Sequence, residues 1–285
     1  MRWETDAVME TTEARELVNV ARDRMGLKPV LAAPKIEALL GAMPAEARRA
    51  FCRDLLASDP DTRAWRAFTE ALLVHETYFF RHPDQLRLLA DVLLPRLLRS
   101  RLEAGSTQLR VWCAGCSTGE EVYTLALLLQ AAIATSAQTW NVTILGTDLS
   151  AQTLELASAG SYALAAGLNS FRDVPVFARH HFAEIFSAGQ AAWSPNAELR
   201  RLTRFARHNL VTDPPPLLDV DLVVCRNTLI YFDEAQSRAA LSSLEAALRP
   251  GGALLLGPAE TASEAACLRL VCTEQAVFWT KEAAP

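Results

Sequence analysis

The chain has 285 residues, enough for one large or two modest cores, and its 51% hydrophobic and 21% charged content excludes long disordered stretches. A net charge of −5 argues against a protein built mainly to bind nucleic acid. No apolar run reaches the ~20 residues of a membrane span, and the acidic, polar start MRWETDAVMETT lacks a secretory signal, so a cytoplasmic location without membrane insertion is expected.

Residues 11–73 carry helical patterns only. One helix is expected around Thr12, Glu13, Leu17, Val18 and Val20, a second over 34–40, a third over 45–57 and a fourth over 65–74. Short breaks at Met43-Pro44 and Asp59-Pro60-Asp61-Thr62 give the spacing of a small helical unit. Arg48, Arg49 and Arg53 cluster on the third helix, where a solvated face is the simpler account and a docking patch the alternative.

The stretch His75-Glu-Thr-Tyr-Phe-Phe-Arg81 sets a polar triplet before three aromatic residues and an arginine. Arg81 has the chemistry of a guanidinium clamp for a carboxylate; a plain surface arginine is the alternative. Residues 83–101 read as a linking helix with leucines at 86, 88, 89, 93, 94, 97 and 98.

Residues 108–123, QLRVWCAGCSTGEEVY, read as a strand over 109–113, a small-residue turn over 114–119 and a helix from Glu120, with Ser117 or Thr118 as its N-cap. Such a turn lets a ligand lie against bare backbone at a helix N-terminus. Only Gly115 and Gly119 are present, so it is no dinucleotide fingerprint, and no Gly-Lys-Ser/Thr follows to make a phosphate loop. Glu120 and Glu121 suit the helix dipole but would repel phosphate. The ligand is expected to be nucleoside-like, without phosphate, and to carry a cation for Glu120 to face. S-adenosylmethionine meets those terms; the alternative is that both glutamates only cap the helix.

The six cysteines, at 52, 113, 116, 225, 267 and 272, lie in apolar stretches and read as buried free thiols of a reducing compartment. Cys113 and Cys116 have the spacing of half a zinc knuckle, but no second pair completes a metal site, and no metal is expected.

From residue 109 strands and helices alternate. A second strand over 142–146 ends in Thr147-Asp148. Asp148 is expected to accept ribose hydroxyls, or alternatively to cap the helix over 151–159. Residues 160–200 break the alternation with Phe171, Phe177, Phe182, Phe186 and Trp193, the mark of an inserted hairpin standing off the sheet. Arg200, Arg201 and Arg204 make its second half basic. A third strand over 203–207 ends in His208-Asn209-Leu210, and an apolar strand over 220–225 ends in Arg226-Asn227-Thr228-Leu229-Ile230-Tyr231. Ligands of open α/β sheets lie beyond the strands' carboxyl ends, which places Asn227 and Tyr231 for chemistry. A helix over 233–248, a strand over 253–256 and a hairpin of 268–271 with 276–280 around Thr273-Glu274-Gln275 complete the chain.

Three blocks, HETYFFR at 75–81, CSTGEEVYTLAL at 116–127 and VVCRNTLIYFD at 223–233, resemble the chemotaxis receptor methyltransferases, the CheR family. A weaker block lies at 144–162, and order and spacing match from about residue 11 to 281. The resemblance implies an α/β fold: a Rossmann-like S-adenosylmethionine-dependent methyltransferase sheet with a terminal antiparallel strand. A small all-α domain over 1–82 would precede the methyltransferase domain over 83–285, which would carry an inserted β subdomain at about 172–202. The implied reaction moves a methyl group from S-adenosylmethionine to glutamate carboxylates on the cytoplasmic domain of a methyl-accepting chemoreceptor or related signalling protein. S-adenosylhomocysteine would be the product.

Carried over by position, Thr77 and Arg81 would face the cofactor, with His75 and Ala114 beside them, and Glu120 would hold its amino-acid end. Asp148 would bind the ribose, Asn209 and Leu210 would flank the adenine, and Asn227 and Thr228 would line the methionine side. Arg81 would also orient the acceptor carboxylate, with Tyr231 near the transferred methyl. Two departures stand out: His75 where the family commonly has Asn, and a nearly neutral second helix, Lys35-Ile-Glu-Ala-Leu-Leu40, where the family's is strongly basic. The competing readings are a cofactor-binding sensor or scaffold without transfer, and a methyltransferase for small-molecule carboxylates.

Overall fold

The computed structural model describes residues 12–60, 62–163, 170–171, 173–187, 189–263, 265–272 and 277–282. The opening stretch MRWETDAVMET and the hairpin turn Thr273-Glu274-Gln275 lie outside them.

The chain begins with four helices, α1 (Thr12–Met25), α2 (Pro29–Gly41), α3 (Ala45–Ala57) and α4 (Arg63–Leu72). Their inward faces form one separate core, in which Leu17, Ile36, Leu55, Trp65 and Phe68 are almost fully buried. Thr62 caps α4 by accepting from Trp65 N, and the Trp65 indole donates to Leu55 O at 2.7 Å, tying α3 to α4. Two helices differ from expectation at their ends. Pro29 serves as a first-turn proline, so α2 starts five residues before 34. Helix α4 stops at Leu72, because Leu73 turns to extended backbone.

The expected linking helix is α5 (Pro83–Leu88), a π-turn (Leu89–Leu93) and α6 (Leu94–Glu103) run end to end. Pro95 has no N–H for the carbonyl one turn back, and its ring crowds that turn. The backbone widens there, and the Leu94 N–H reaches Leu89 O, five residues back.

Seven strands form the main sheet: β1 (Gln108–Ala114), β2 (Asn141–Asp148), β6 (Thr203–Arg207), β7 (Val220–Cys225), β8 (Leu248–Leu256), β9 (Leu268–Cys272) and β10 (Val277–Lys281), in the order β6-β2-β1-β7-β8-β10-β9. The pairs among the first five are parallel; β10 is antiparallel to both β8 and β9. The two faces bury alternate residues. Val111, Cys113, Leu222 and Val224 pack on one side against α7 (Glu120–Ala134). Trp112, Val223, Cys225 and Leu254 pack on the other against α10 (Glu234–Ala247). Strand β7 is buried along its whole length, as a central parallel strand must be. The order reverses between β1 and β7, so a crevice opens beyond their carboxyl ends.

The inserted segment forms a small antiparallel sheet of β3 (Tyr162–Ala163), β4 (Phe182–Ser187) and β5 (Gln190–Pro195), ordered β3-β5-β4. It draws on Tyr162 and Ala163, upstream of residue 172. Helix α8 (Ala151–Ala159) precedes it and α9 (Ala197–Leu202) follows.

The cysteines divide. Cys52, Cys113, Cys116 and Cys225 are buried, whereas Cys267 and Cys272, expected inside, are exposed. The last two sit at or beside β9, the sheet's edge strand, where an apolar sequence need not face the core.

Strand β7 carries one buried acid, Asp221, with no solvent exposure. It accepts from Arg101 Nε and Arg249 Nε, each at 2.6 Å, and from Arg110 N at 2.9 Å. One carboxylate thus ties α6, β1, β7 and β8 together at the end of the sheet opposite the crevice. Asp221→Ala leaves two partly buried arginines facing each other, and should lower unfolding free energy by about 3 kcal/mol in a denaturant titration.

Candidate active site

The crevice is a deep cavity whose floor is the β1–α7 turn and whose roof comes from the α1–α2 connection and the strap between α4 and α5. The turn needs bare backbone at Gly115. Its φ is +73°, and a Cβ there would run into Thr228 Oγ1. Both Gly115 N and Cys116 N donate to Thr147 O, at 2.8 and 2.9 Å, which folds the turn over the end of β2.

The expected cap of α7 is corrected. The N-cap is Gly119, at φ +90° and with no side-chain cap bond. Ser117 sits in left-handed backbone at φ +48°, whereas a serine cap needs extended backbone; the Thr118 hydroxyl donates to Glu120 Oε2 at 2.6 Å.

This start rotates the two glutamates apart. Glu120, expected to hold the amino-acid end of a ligand, is buried outside the cavity wall and accepts from Thr118 Oγ1 and Ser170 Oγ, both at 2.6 Å. Burial pushes its carboxyl up from the ordinary range, with the two hydroxyl bonds opposing. Glu121 lines the cavity instead, with Oε1 2.8 Å from Arg226 Nε and Oε2 3.4 Å from Cys113 Sγ. Ala114, expected beside the cofactor, lies in the core beneath the turn.

Asp148 ends β2 on the cavity wall. Oδ2 accepts from Ser117 N at 2.8 Å and Oδ1 from Ser150 N at 2.9 Å. The cap of α8 is Ser150, whose hydroxyl accepts from Thr153 N, so Asp148 is free of that role. Burial raises the Asp148 carboxyl, while the Ser150 and Ser117 amides hold it down. Ser150 Oγ also donates to Glu70 of α4 at 2.7 and 2.8 Å, and His75 Nε2 stands 3.5 Å from the same carboxylate.

The strap has no regular secondary structure, with Phe80 and His82 in left-handed backbone, and is pinned by aromatic side chains. Phe79 is fully buried against Phe171, Tyr162 and Phe182, with ring centroids 4.8–5.0 Å apart. That anchor leaves His75, Thr77, Tyr78 and Arg81 on the cavity wall. Arg81 donates from Nη1 to Glu76 O at 2.7 Å, its guanidinium lies 5.7 Å from the Tyr78 ring centroid, and its carbonyl accepts from Arg226 Nη2 at 2.6 Å.

Beyond β7 the chain turns sharply, with Asn227 at φ +58°. Asn227, Thr228 and Tyr231 line the cavity, and His82 Nε2 lies 3.1 Å from Asn227 Oδ1. Burial, then the Arg226 charge, lowers the His82 pKa. Burial raises the Tyr231 hydroxyl, with the Arg81 charge opposing. The α1–α2 connection clamps this turn: Leu27 bridges Phe232, Lys28 N donates to Tyr231 O at 2.8 Å and Lys28 Nζ to Ile230 O at 2.8 Å. Asn209 and Leu210 line the opposite end. The Asn209 amide is engaged, donating to Arg24 O at 2.6 Å and accepting from Val211 N at 3.0 Å.

The cavity therefore gathers His75, Thr77, Arg81, Asp148, Asn209, Leu210, Asn227, Thr228 and Tyr231, and leaves out Ala114 and Glu120. Glu121, Ser117 and His208 also line it and were not anticipated. The Ser117 hydroxyl and His208 Nδ1 are buried polar atoms without a partner in the structure. These groups suit a nucleoside bearing an amino acid: carboxylates for a cation and hydroxyls, bare backbone at Gly115, and unpaired polar atoms inside an apolar pocket.

A parallel sheet with this strand order and an antiparallel pair at one edge, its crevice at the β1/β7 reversal, defines the fold of the S-adenosylmethionine-dependent methyltransferases. The family model "CheR methyltransferase, SAM binding domain" matches residues 75–276, and the chain belongs to that family. The cofactor of the matched domain is S-adenosylmethionine. The chain is 41% identical over 190 residues to an uncharacterised 104.1 kDa protein of Rhodobacter capsulatus, covering 66% of this chain and 19% of that one. It is 40% identical over 200 residues to a probable biofilm formation methyltransferase, WspC, of Pseudomonas aeruginosa, covering 68% and 44%. Chemotaxis protein methyltransferase 1 of Vibrio cholerae is 33% identical over 199 residues, with 68% of each chain covered. The match thus spans less than half the length of the first two relatives.

The two glutamates should separate experimentally. Glu121→Gln should weaken S-adenosylhomocysteine binding about tenfold in calorimetry, and Glu120→Gln should change it less than about twofold. Because burial raises the Glu120 carboxyl, its contribution to stability is present in acid and lost as pH climbs through the folded-state value. The melting temperature of Glu120→Gln relative to the parent should therefore increase from acid to neutral pH; a flat difference would remove the burial account.

Proposed function

We propose that the chain transfers a methyl group from S-adenosylmethionine to the side-chain carboxylate of a glutamate on the cytoplasmic part of a chemoreceptor-like signalling protein. Bound in the cavity, S-adenosylmethionine supplies an electrophilic methyl carbon. A glutamate acceptor is ionised at neutral pH, so the chain has to supply orientation and exclusion of water rather than a strong base. The observation that carries the reading is that Arg81, from the strap, and Tyr231, from the β7 turn, line the same cavity. Arg81 offers a planar cation to an acceptor carboxylate, and the raised Tyr231 hydroxyl stays protonated, donating a hydrogen bond without competing as a base.

On this reading Asp148 takes the ribose hydroxyls, Glu121 with Asn227 and Thr228 receives the amino-acid end, and Asn209 with Leu210 flanks the base. Helices α1–α4 form a docking unit over the mouth. No helix among the described residues is long and apolar enough to cross a membrane, which is compatible with an acceptor met from the cytoplasmic side.

Labelled methyl should pass from cofactor to a receptor cytoplasmic fragment and be released by mild base, as a glutamate methyl ester would be; no transfer to any such fragment would sink the acceptor assignment. Arg81→Ala should lower turnover about a hundredfold while S-adenosylhomocysteine affinity changes far less. Unchanged turnover would remove the clamp.

A further inference from the structure

Glu260 lies after β8, outside the cavity wall, in a stretch that neither the strand pattern nor the family blocks single out. Its carboxylate accepts three backbone N–H bonds from the β7 turn and one from the loop after β8. Oε2 takes Asn227 N at 2.8 Å and Gly257 N at 2.7 Å. Oε1 takes Thr228 N at 2.8 Å and Ile230 N at 3.3 Å. The backbone is fitted to it: a Cβ on Gly257 would lie 2.6 Å from Oε2 and 2.8 Å from Asn227 N.

We infer that Glu260 is a positioning residue: by taking these backbone amides it holds Asn227 in left-handed backbone and so sets where Asn227, Thr228 and Tyr231 face the ligand. The clamp from Leu27 and Lys28 grips only the far end of the turn, at Ile230 to Phe232, and leaves the backbone of Asn227 and Thr228 to Glu260. Asn227 pays a conformational cost at φ +58°, and the short helical turn that follows is made by Tyr231 N to Thr228 O at 3.2 Å and Phe232 N to Leu229 O at 3.0 Å. A carboxylate is acceptor-only, which suits a site facing donors alone. An amide in its place would set its NH₂ against one pair of backbone N–H groups in either orientation. Water cannot mimic the fork either, because it is not tethered to the Gly257 loop.

This inference rests on the cofactor reading of the cavity, and the parent protein tests that reading first. Calorimetry with S-adenosylhomocysteine should detect binding to the full chain; if the parent does not bind, the cavity reading itself fails and this inference falls with it. Given parent binding, Glu260→Gln should weaken affinity by about tenfold or more, measured well below its melting temperature. Leu97→Ala, a core truncation in α6 away from the turn, controls for destabilisation and should leave affinity near the parent's while lowering the melting temperature. Should Glu260→Gln fail to fold, Glu260→Asp keeps the charge but is one methylene short of spanning both amide pairs, and should also bind more weakly. Parent-like affinity in the folded Glu260 variant, or an equal loss in Leu97→Ala, would overturn the assignment.

Discussion

The site depends on one close approach, the bare backbone of Gly115 against the Thr228 side chain at the reversal between β1 and β7. Adjacent parallel strands diverge there because their following segments leave to opposite faces, and only a residue without a Cβ can close the gap. Everything else is arranged to keep those two turns in contact. Thr147 O takes two amides of the first turn, Asp148 takes Ser117 N, and the α1–α2 connection grips the second through Leu27 and Lys28. The helical unit is therefore part of the site's wall. Its tie at Glu70 to Ser150 adds a third point of attachment, at the base of α8.

Much of this was legible in the sequence because local patterns and the fold agree. The strands over 203–207 and 220–225 and the helix over 151–159 have the bounds their composition predicts. Sheet neighbours of that kind need only an apolar, β-prone run. What was not legible turned on backbone handedness and long-range pairing. Adjacent glutamates at a helix start point about 100° apart, so which one faces the ligand depends on the residue that begins the helix. Ser117 looked like a cap by type, but its left-handed backbone passes that place to Gly119, and Glu121 rather than Glu120 meets the cavity. Spacing carries no such information. The exposed Cys267 and Cys272 failed for a related reason: an apolar run does not say whether its strand lies inside the sheet or at its edge.

The electrostatics of the cavity follow a division between acids that are paired and acids that are only buried. Glu121 meets Arg226 at 2.8 Å, with the guanidinium anchored in turn on the Arg81 carbonyl. A cation inserted beside Glu121 would therefore share an existing ion pair rather than neutralise a bare charge, which favours a ligand that brings both an ammonium and a carboxylate. Asp148 accepts from two backbone amides and, among the described residues, makes no ion pair, so burial wins and its carboxyl is raised. That suits hydroxyl donors better than a charge. The polarity of the two ends thus matches a zwitterionic end near Arg226 and a ribose near Asp148.

The outer surface constrains the acceptor in a way that composition alone obscures. Lys35 is the only cation written into α2, yet its ammonium is turned inward, donating to Leu72 O at 2.6 Å and Leu73 O at 3.0 Å to close the end of α4. The solvent side of α2 includes Val30 and Leu31, 65% and 41% exposed, with Val74 of the strap 48% exposed beside the same mouth. A partner drawn to this rim would gain little from long-range charge attraction and more from covering apolar surface. On the proposed function, orientation of the acceptor carboxylate would then fall to Arg81 inside the mouth, which would separate the residues that hold the partner from the residue that aligns its reacting group.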